Sequence, residues 1–179
     1  MIKRNWLAFI FAFALPILLA YWWWGGFNRP RIQILQSKPV YYAYIEYYGD
    51  FGNLPDVQQK VYTALRAQHI EPGSSVTILY TDPRTTKKHD QHAWVGYAVR
   101  TATTVKPPLQ TATLPVQSVL RAQVRASMFL APGMAYQALH DYLQPLGKDI
   151  RMPTVEIYTA GKSINQMGTI TVDMPYQNR

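Results

Sequence analysis

Glu156 is the residue of this sequence best placed to do chemistry. It stands in Met152-Pro153-Thr154-Val155-Glu156-Ile157-Tyr158, a short apolar stretch with the alternation of a strand. Side chains alternate along a strand, so Val155 and Ile157 share one face and Glu156 and Tyr158 the other. A carboxylate in such a stretch is costly unless something pairs with it. An internal partner would be Arg100, Arg121 or Arg125 across a sheet. An external one would be a cationic or hydroxylated ligand, held by the acid together with aromatic faces. Strand parity offers Tyr158, Tyr42, Tyr44 and Trp94 as the aromatic wall. Arg121 and Arg125 share a face in their own strand. If that face lined the site, the site would suit an anionic or zwitterionic ligand, or hold a pre-paired Glu.

Other constellations are weaker. His89-Asp90-x-His92 has two metal-capable imidazoles but no further nearby ligand, and reads as a solvated lysine-containing loop. Asp82-Pro83 reads as a turn. There is no Cys, which excludes disulfides, thiol catalysis and thiolate metal sites. No Ser-His-Asp spacing, P-loop or Gly-rich nucleotide loop is present. Glu156 alone would have to act on water for the chain to be catalytic. No cofactor or metal is expected.

Placing Glu156 requires a sheet. Val40 to Tyr48 is β-branched and aromatic, hence a strand, with Tyr42, Tyr44, Glu46 and Tyr48 on one face. After a break at Gly49–Gly52, Asn53 is positioned as an N-cap. Val57, Val61, Ala64 and Leu65 then recur at helical spacing, to about Gln68. Ser75 to Tyr80 and Ala93 to Thr101 are two further strands. The order then repeats. Ser118 to Met128 is a strand, Pro132 to about Pro145 a helix with Ala135, Ala138, Leu139, Tyr142 and Leu143 as its stripe, and Pro153 to Tyr158 and Thr169 to Met174 are strands. The expected fold is therefore α+β. Two strand–helix–strand–strand modules join into one antiparallel sheet with two helices on one face, and a cleft lies between the halves.

The N-terminus is different in kind. Trp6 to Trp24 carries no charged residue. As a helix its 19 residues would extend about 28 Å, close to the hydrocarbon thickness of a bilayer. Trp6 lies at one end and Tyr21 to Trp24 at the other, where aromatic belts sit. Residues 1–28 are expected to be a single-pass transmembrane signal-anchor, with a cleaved signal peptide as the alternative. Residues 29–39 are expected to be a tether, with a small strand at Arg31 to Leu35, and residues 40–176 the folded domain. Lys3 and Arg4 on the short tail place the domain extracytoplasmically.

Composition is consistent with this division. Apolar residues make up 48% of the 179, enough for a packed core. The net charge of +8 is concentrated, because Lys3, Arg4, Arg29 and Arg31 flank the apolar segment. Without those four, 14 Lys and Arg face 10 Asp and Glu, a scattered +4. No nucleic-acid partner is expected.

Three patterns carry a family resemblance. They are Tyr48-Gly49-Asp50-Phe51, then Tyr80-Thr81-Asp82-Pro83 with Trp94-Val95-Gly96-Tyr97-Ala98-Val99, and finally Glu156-Ile157-Tyr158 with Thr169-Ile170-Thr171-Val172-Asp173-Met174-Pro175. In their order and spacing, from about Val40 to Tyr176, they resemble the GyrI-like effector-binding domain family. The resemblance implies small-molecule binding between the halves, with Glu156 facing a lipophilic cation among aromatic side chains. It also implies hydrolysis through Glu156 as an alternative, since some members with this fold are hydrolytic. No DNA-binding domain like that of the family's regulators is expected. The expectation is a membrane-anchored module for a lipophilic, aromatic or cationic small molecule, with a closed protein-interaction scaffold as a further alternative.

Overall fold

The computed structural model describes residues 2–161 and 167–177; the side chains of residues 2–5 and 7–10 lie outside that description. The charges of Lys3 and Arg4, which underlie the expected orientation, are among those omitted.

The β-branched and aromatic run Val40–Tyr48 forms strand β2, and α2 follows at Leu54–Ala67. Asn53 occupies the N-cap position without a side-chain capping bond. Asp50 does that work one turn earlier, its carboxylate accepting the backbone N–H of Gly52 at 2.9 Å. Strands β3 (Ser75–Leu79) and β4 (His92–Ala98) complete the first half. The second half repeats the order with β6 (Ser118–Ala126), α3 (Ala131–Leu143), β7 (Thr154–Thr159) and β8 (Gly168–Pro175). Two short strands, β1 (Arg31–Gln36) and β5 (Gln110–Leu114), precede the two halves.

All eight strands join one antiparallel sheet in the order β1-β6-β8-β7-β3-β4-β2-β5. The halves meet where β3 pairs with β7, with Thr77 opposite Glu156. The outer strands are exchanged. β1, which leads into the first half, pairs with β6 of the second, and β5, which leads into the second, pairs with β2 of the first. Each lead-in strand thus covers the backbone edge that the opposite half would otherwise expose.

Both α2 and α3 lie on one face of the sheet. Each presents residues four apart, which stack on one side of a helix. In α2 these are Val57, Val61 and Leu65, and in α3 they are Ala131, Ala135, Leu139 and Leu143, all buried. Val61 and Leu65 pack with Ala43 of β2. The α3 stripe packs with Leu120, Ala122, Val124, Ile170, Val172 and Met174 of β6 and β8. Burying a side chain such as Leu139 contributes about 1.5–3 kcal/mol.

Among the described residues, the other face carries no helix. Tyr42 and Tyr44 are nonetheless 2% and 6% exposed there. Aromatic rings take the place of a second layer, with Tyr42, Tyr44, Tyr80 and Trp94 packed over Val76, Ile78 and Val155.

The N-terminal helix α1 spans Ile2–Trp23. Among the described residues, no helix is long and apolar enough to cross a membrane. The expected transmembrane helix therefore finds no support in the fold.

Candidate functional site

Glu156 points to the helix-bearing face, between α2 and α3. The register decides this. Glu156 lies opposite Thr77 and Val172, and Thr77 lies opposite Val95. Directly opposed residues in antiparallel strands point to the same side, and Val95 and Val172 are core residues beneath the helices.

The carboxylate is half-buried, and its hydrogen bond comes from a neutral group. The Tyr136 hydroxyl of α3 donates to Glu156 Oε1 at 2.8 Å and also meets Thr154 Oγ1 at 2.7 Å. Among the described residues, no Lys, Arg or His lies within ion-pair distance of Glu156. Burial pushes its pKa above the usual carboxylate range, and the Tyr136 hydrogen bond offsets that only in part. The Tyr136 hydroxyl is itself pushed up, first by burial and then by the neighbouring Glu156 charge. From the other side, Gln58 of α2 reaches the sheet, its amide donating to the Gly96 carbonyl at 2.7 Å. Between α2 and α3 the sheet thus carries a polar strip, with Thr77 and Glu156 in the sheet and Gln58 and Tyr136 reaching in from the flanking helices.

Tyr136 also walls an apolar depression of about 380 Å³ shared with Leu79, Asp82, His140, Ile150 and Met152, which Glu156 itself does not line. Its rim is charged. Arg84 clasps Asp82 at 2.7 Å and approaches Asp149 at 3.4 Å. That clasp holds the Asp82 carboxyl below its usual range.

The expected site residues do not all converge. Tyr158 lies on the same face as Glu156, but its ring covers Gly168, where an added β-carbon would come within 2.3 Å of it. Tyr42, Tyr44 and Trp94 lie on the opposite face. The register pairs Tyr42 with Ala98 and Glu46 with Trp94, and Tyr44 stacks on Trp94 at 4.4 Å. These three rings therefore cannot form a wall around Glu156, because the sheet separates them from it. Side-chain alternation within each strand matches the expectation; the phase between strands does not.

The internal cationic partners are also displaced. Arg121 forms a two-pronged pair with Asp173, both contacts at 2.7 Å, on the face away from Glu156. That hydrogen-bonded pair raises the Arg121 pKa. Arg125 lies on the same face, its Nε directed to the Met167 carbonyl at 3.4 Å. The salt-bridged, closed groove is excluded in the form that rests on these two arginines.

His92 corrects another expectation. It opens β4 rather than sitting in a solvated loop. Its ring lies between Tyr48 at 4.3 Å and Tyr80 at 4.7 Å. Glu46 Oε1 meets His92 Nε2 at 2.8 Å and also accepts from Tyr48 and Trp94. These hydrogen bonds, that of Trp94 foremost, hold the Glu46 carboxyl below its usual range. Among the described residues, no three His, Asp or Glu side chains are grouped to hold a metal ion.

Sequence reasoning missed Tyr136, Thr154 and Gln58. Tyr136 had a visible signal, being one residue beyond Ala135 of the buried stripe and so on its flank. No family model matches the chain, and no curated protein does. Solved structures do match in shape. The C-terminal domain of EcmrR superposes with a TM-score of 0.64 at 12% identity, over 84% of this chain and 99% of that one. EcmrR in its DNA complex gives 0.64 at 10% identity, and this chain spans only 58% of it. SAV2435 bound to tetraphenylphosphonium gives 0.57 at 12% identity, over 83% of this chain and 94% of that one. At these identities the likeness establishes the fold alone, and it supports the GyrI-like fold expected from the sequence.

Proposed function

We propose that the protein is a membrane-anchored module that binds a lipophilic cation in the groove between α2 and α3, with Glu156 as the counter-charge. One observation carries this reading: a half-buried carboxylate in the polar strip between α2 and α3, without a basic partner among the described residues. A buried acid of that kind is costly in the free protein, and a bound cation relieves the cost. The adjoining apolar depression would take the lipophilic part of the ligand. SAV2435, of the same fold, was solved with such a cation. The anchor is carried by the uncharged run Trp6–Trp24. It is also favoured by the exposed described apolar side chains of α1, among them Phe11, Phe13, Ile17 and Leu18. The proposed placement of the domain is extracytoplasmic.

Equilibrium dialysis of tetraphenylphosphonium against the full chain tests the groove. Wild type binds, and Glu156→Gln binds about tenfold more weakly or worse, equivalent to about 1.4 kcal/mol. Unchanged affinity in Glu156→Gln would exclude recognition by charge. Because the Glu156 pKa is raised, the cation competes with a proton, so affinity rises with pH until the carboxyl is fully ionised.

Hydrolysis is the second reading. A carboxyl whose pKa is raised by burial, beside a tyrosine hydroxyl, is suited to proton transfer with water. A panel of electrophilic esters turned over by wild type but not by Glu156→Ala would favour it.

A further inference from the structure

The end of the domain beside α1 has a composition that neither the groove nor the core uses. Trp22, Trp23 and Phe27 are exposed where the helix ends. Directly across, in the loop between β6 and α3, Met128 is 51% exposed and Phe129 91% exposed. The two groups are tied together. The backbone N–H of Ser127 donates to the Trp24 carbonyl at 2.9 Å, and the Asn28 side chain donates to the Arg125 carbonyl. Gly25 makes the turn between them at φ +76°, a conformation that other residues rarely adopt. Beside this apolar cluster, Arg29, Arg31 and Arg125 border an open depression of about 660 Å³. Among the described residues, none of the three has a carboxylate partner.

We propose that this end of the domain is a docking surface for a bilayer containing anionic phospholipid. Trp22, Trp23, Phe27, Met128 and Phe129 enter the interfacial layer, and Arg29, Arg31 and Arg125 bind headgroup phosphates. The inference rests on the proposed anchor, which would bring the bilayer to this end and no other. Tryptophan and phenylalanine suit the headgroup boundary. Unpaired cations beside them match an anionic surface, each strengthening attachment about fivefold. Two signals in one place, apolar and cationic, are what stable interfacial binding requires. The docked domain would lie against the membrane, continuing the attachment that the Ser127–Trp24 and Asn28–Arg125 bonds already make to the end of α1.

The absence of cysteine makes the test clean. The full chain, carrying a single fluorophore at Ala160→Cys or at Val116→Cys, is reconstituted into vesicles with a quencher on the lipid headgroup. One set is phosphatidylcholine alone and the other also contains phosphatidylglycerol. Ala160 follows β7 at the α1 end, and Val116 precedes β6, whose length puts the two about 30 Å apart. The Ala160 probe should be quenched several-fold more in phosphatidylglycerol vesicles, and the Val116 probe equally little in both. Phe129→Ser, and Arg29→Glu with Arg31→Glu and Arg125→Glu, should each return the Ala160 probe to its phosphatidylcholine value. All of these side chains are exposed, so circular dichroism should be unchanged. If the chain does not sediment with vesicles at all, the anchor fails and this inference fails with it. If the chain inserts but the Ala160 probe ignores phosphatidylglycerol, docking is overturned and the anchor stands. Quenching that is independent of lipid but lost together with a cross-linked dimer would assign the surface to a second copy, and likewise overturn the proposal.

Discussion

Glu156 makes stability depend on pH in an unusual direction. Its folded-state pKa is raised, so between the unfolded and folded values the folded protein holds a proton that the unfolded chain releases. Stability should therefore be highest below the unfolded value and fall as pH rises through the folded one. Glu156→Gln should remove that slope and be at least as stable as wild type at neutral pH. Thermal melts from acid to mildly alkaline pH check this; a variant less stable than wild type at pH 8 would show that the carboxylate is compensated. Glu46, Asp50 and Asp82 act oppositely, since their carboxyls are lowered by hydrogen bonds or cations. Their contribution is lost as pH falls. At this scale the sequence was legible to the extent of flagging an acid in an apolar strand. It was illegible as to the partner, because a tyrosine on a helix flank carries no charge signature, and Arg121 looked the better candidate.

Between elements, one residue joins α3 to the sheet at the site. Tyr136→Phe deletes the hydroxyl that bonds both Thr154, which is 0% exposed, and Glu156. Leaving those groups short of a partner should cost about 1–3 kcal/mol, read as a lowered denaturation midpoint, and should raise the Glu156 pKa further. On the other face, Arg121→Leu strands Asp173, which is 5% exposed. That should cost about 1.5–3 kcal/mol, in line with hydrogen bonds to charged groups. Adding Asp173→Leu should recover most of the loss, as expected when both members of a buried pair are replaced. Chemical denaturation of the single and double variants measures both. The periodicities that define α2, α3 and six of the strands were readable directly. The relative phase of those strands was not, because it follows from register, which depends on which strands are neighbours. That is why Tyr42, Tyr44 and Trp94 were expected beside Glu156 and stand behind it.

For the molecule as a whole, the duplicated order was legible, whereas the exchange of lead-in strands was not. β5, Gln110-Thr111-Ala112-Thr113-Leu114, lacks apolar alternation and gives little strand signal. Because β5 covers β2 and β1 covers β6, each half lacks an edge when taken alone. A fragment of residues 40–105 should not fold, and residues 31–176 should fold cooperatively. Amide hydrogen exchange on both fragments checks this, with protection in the shorter one counting against interdependence.

The pairing of β1 with β6 also sets a timetable for biosynthesis. Arg31 leaves the ribosome early, yet its register partner is Gln123. About 90 residues separate them, or about 5–20 s of translation at ordinary elongation rates. During that interval the outermost strand is a solitary segment tethered to the emerging apolar helix. Completion of the sheet then coincides with arrival of the last third of the chain, so any truncation upstream of β6 leaves a nascent product with an open edge for quality-control machinery to find.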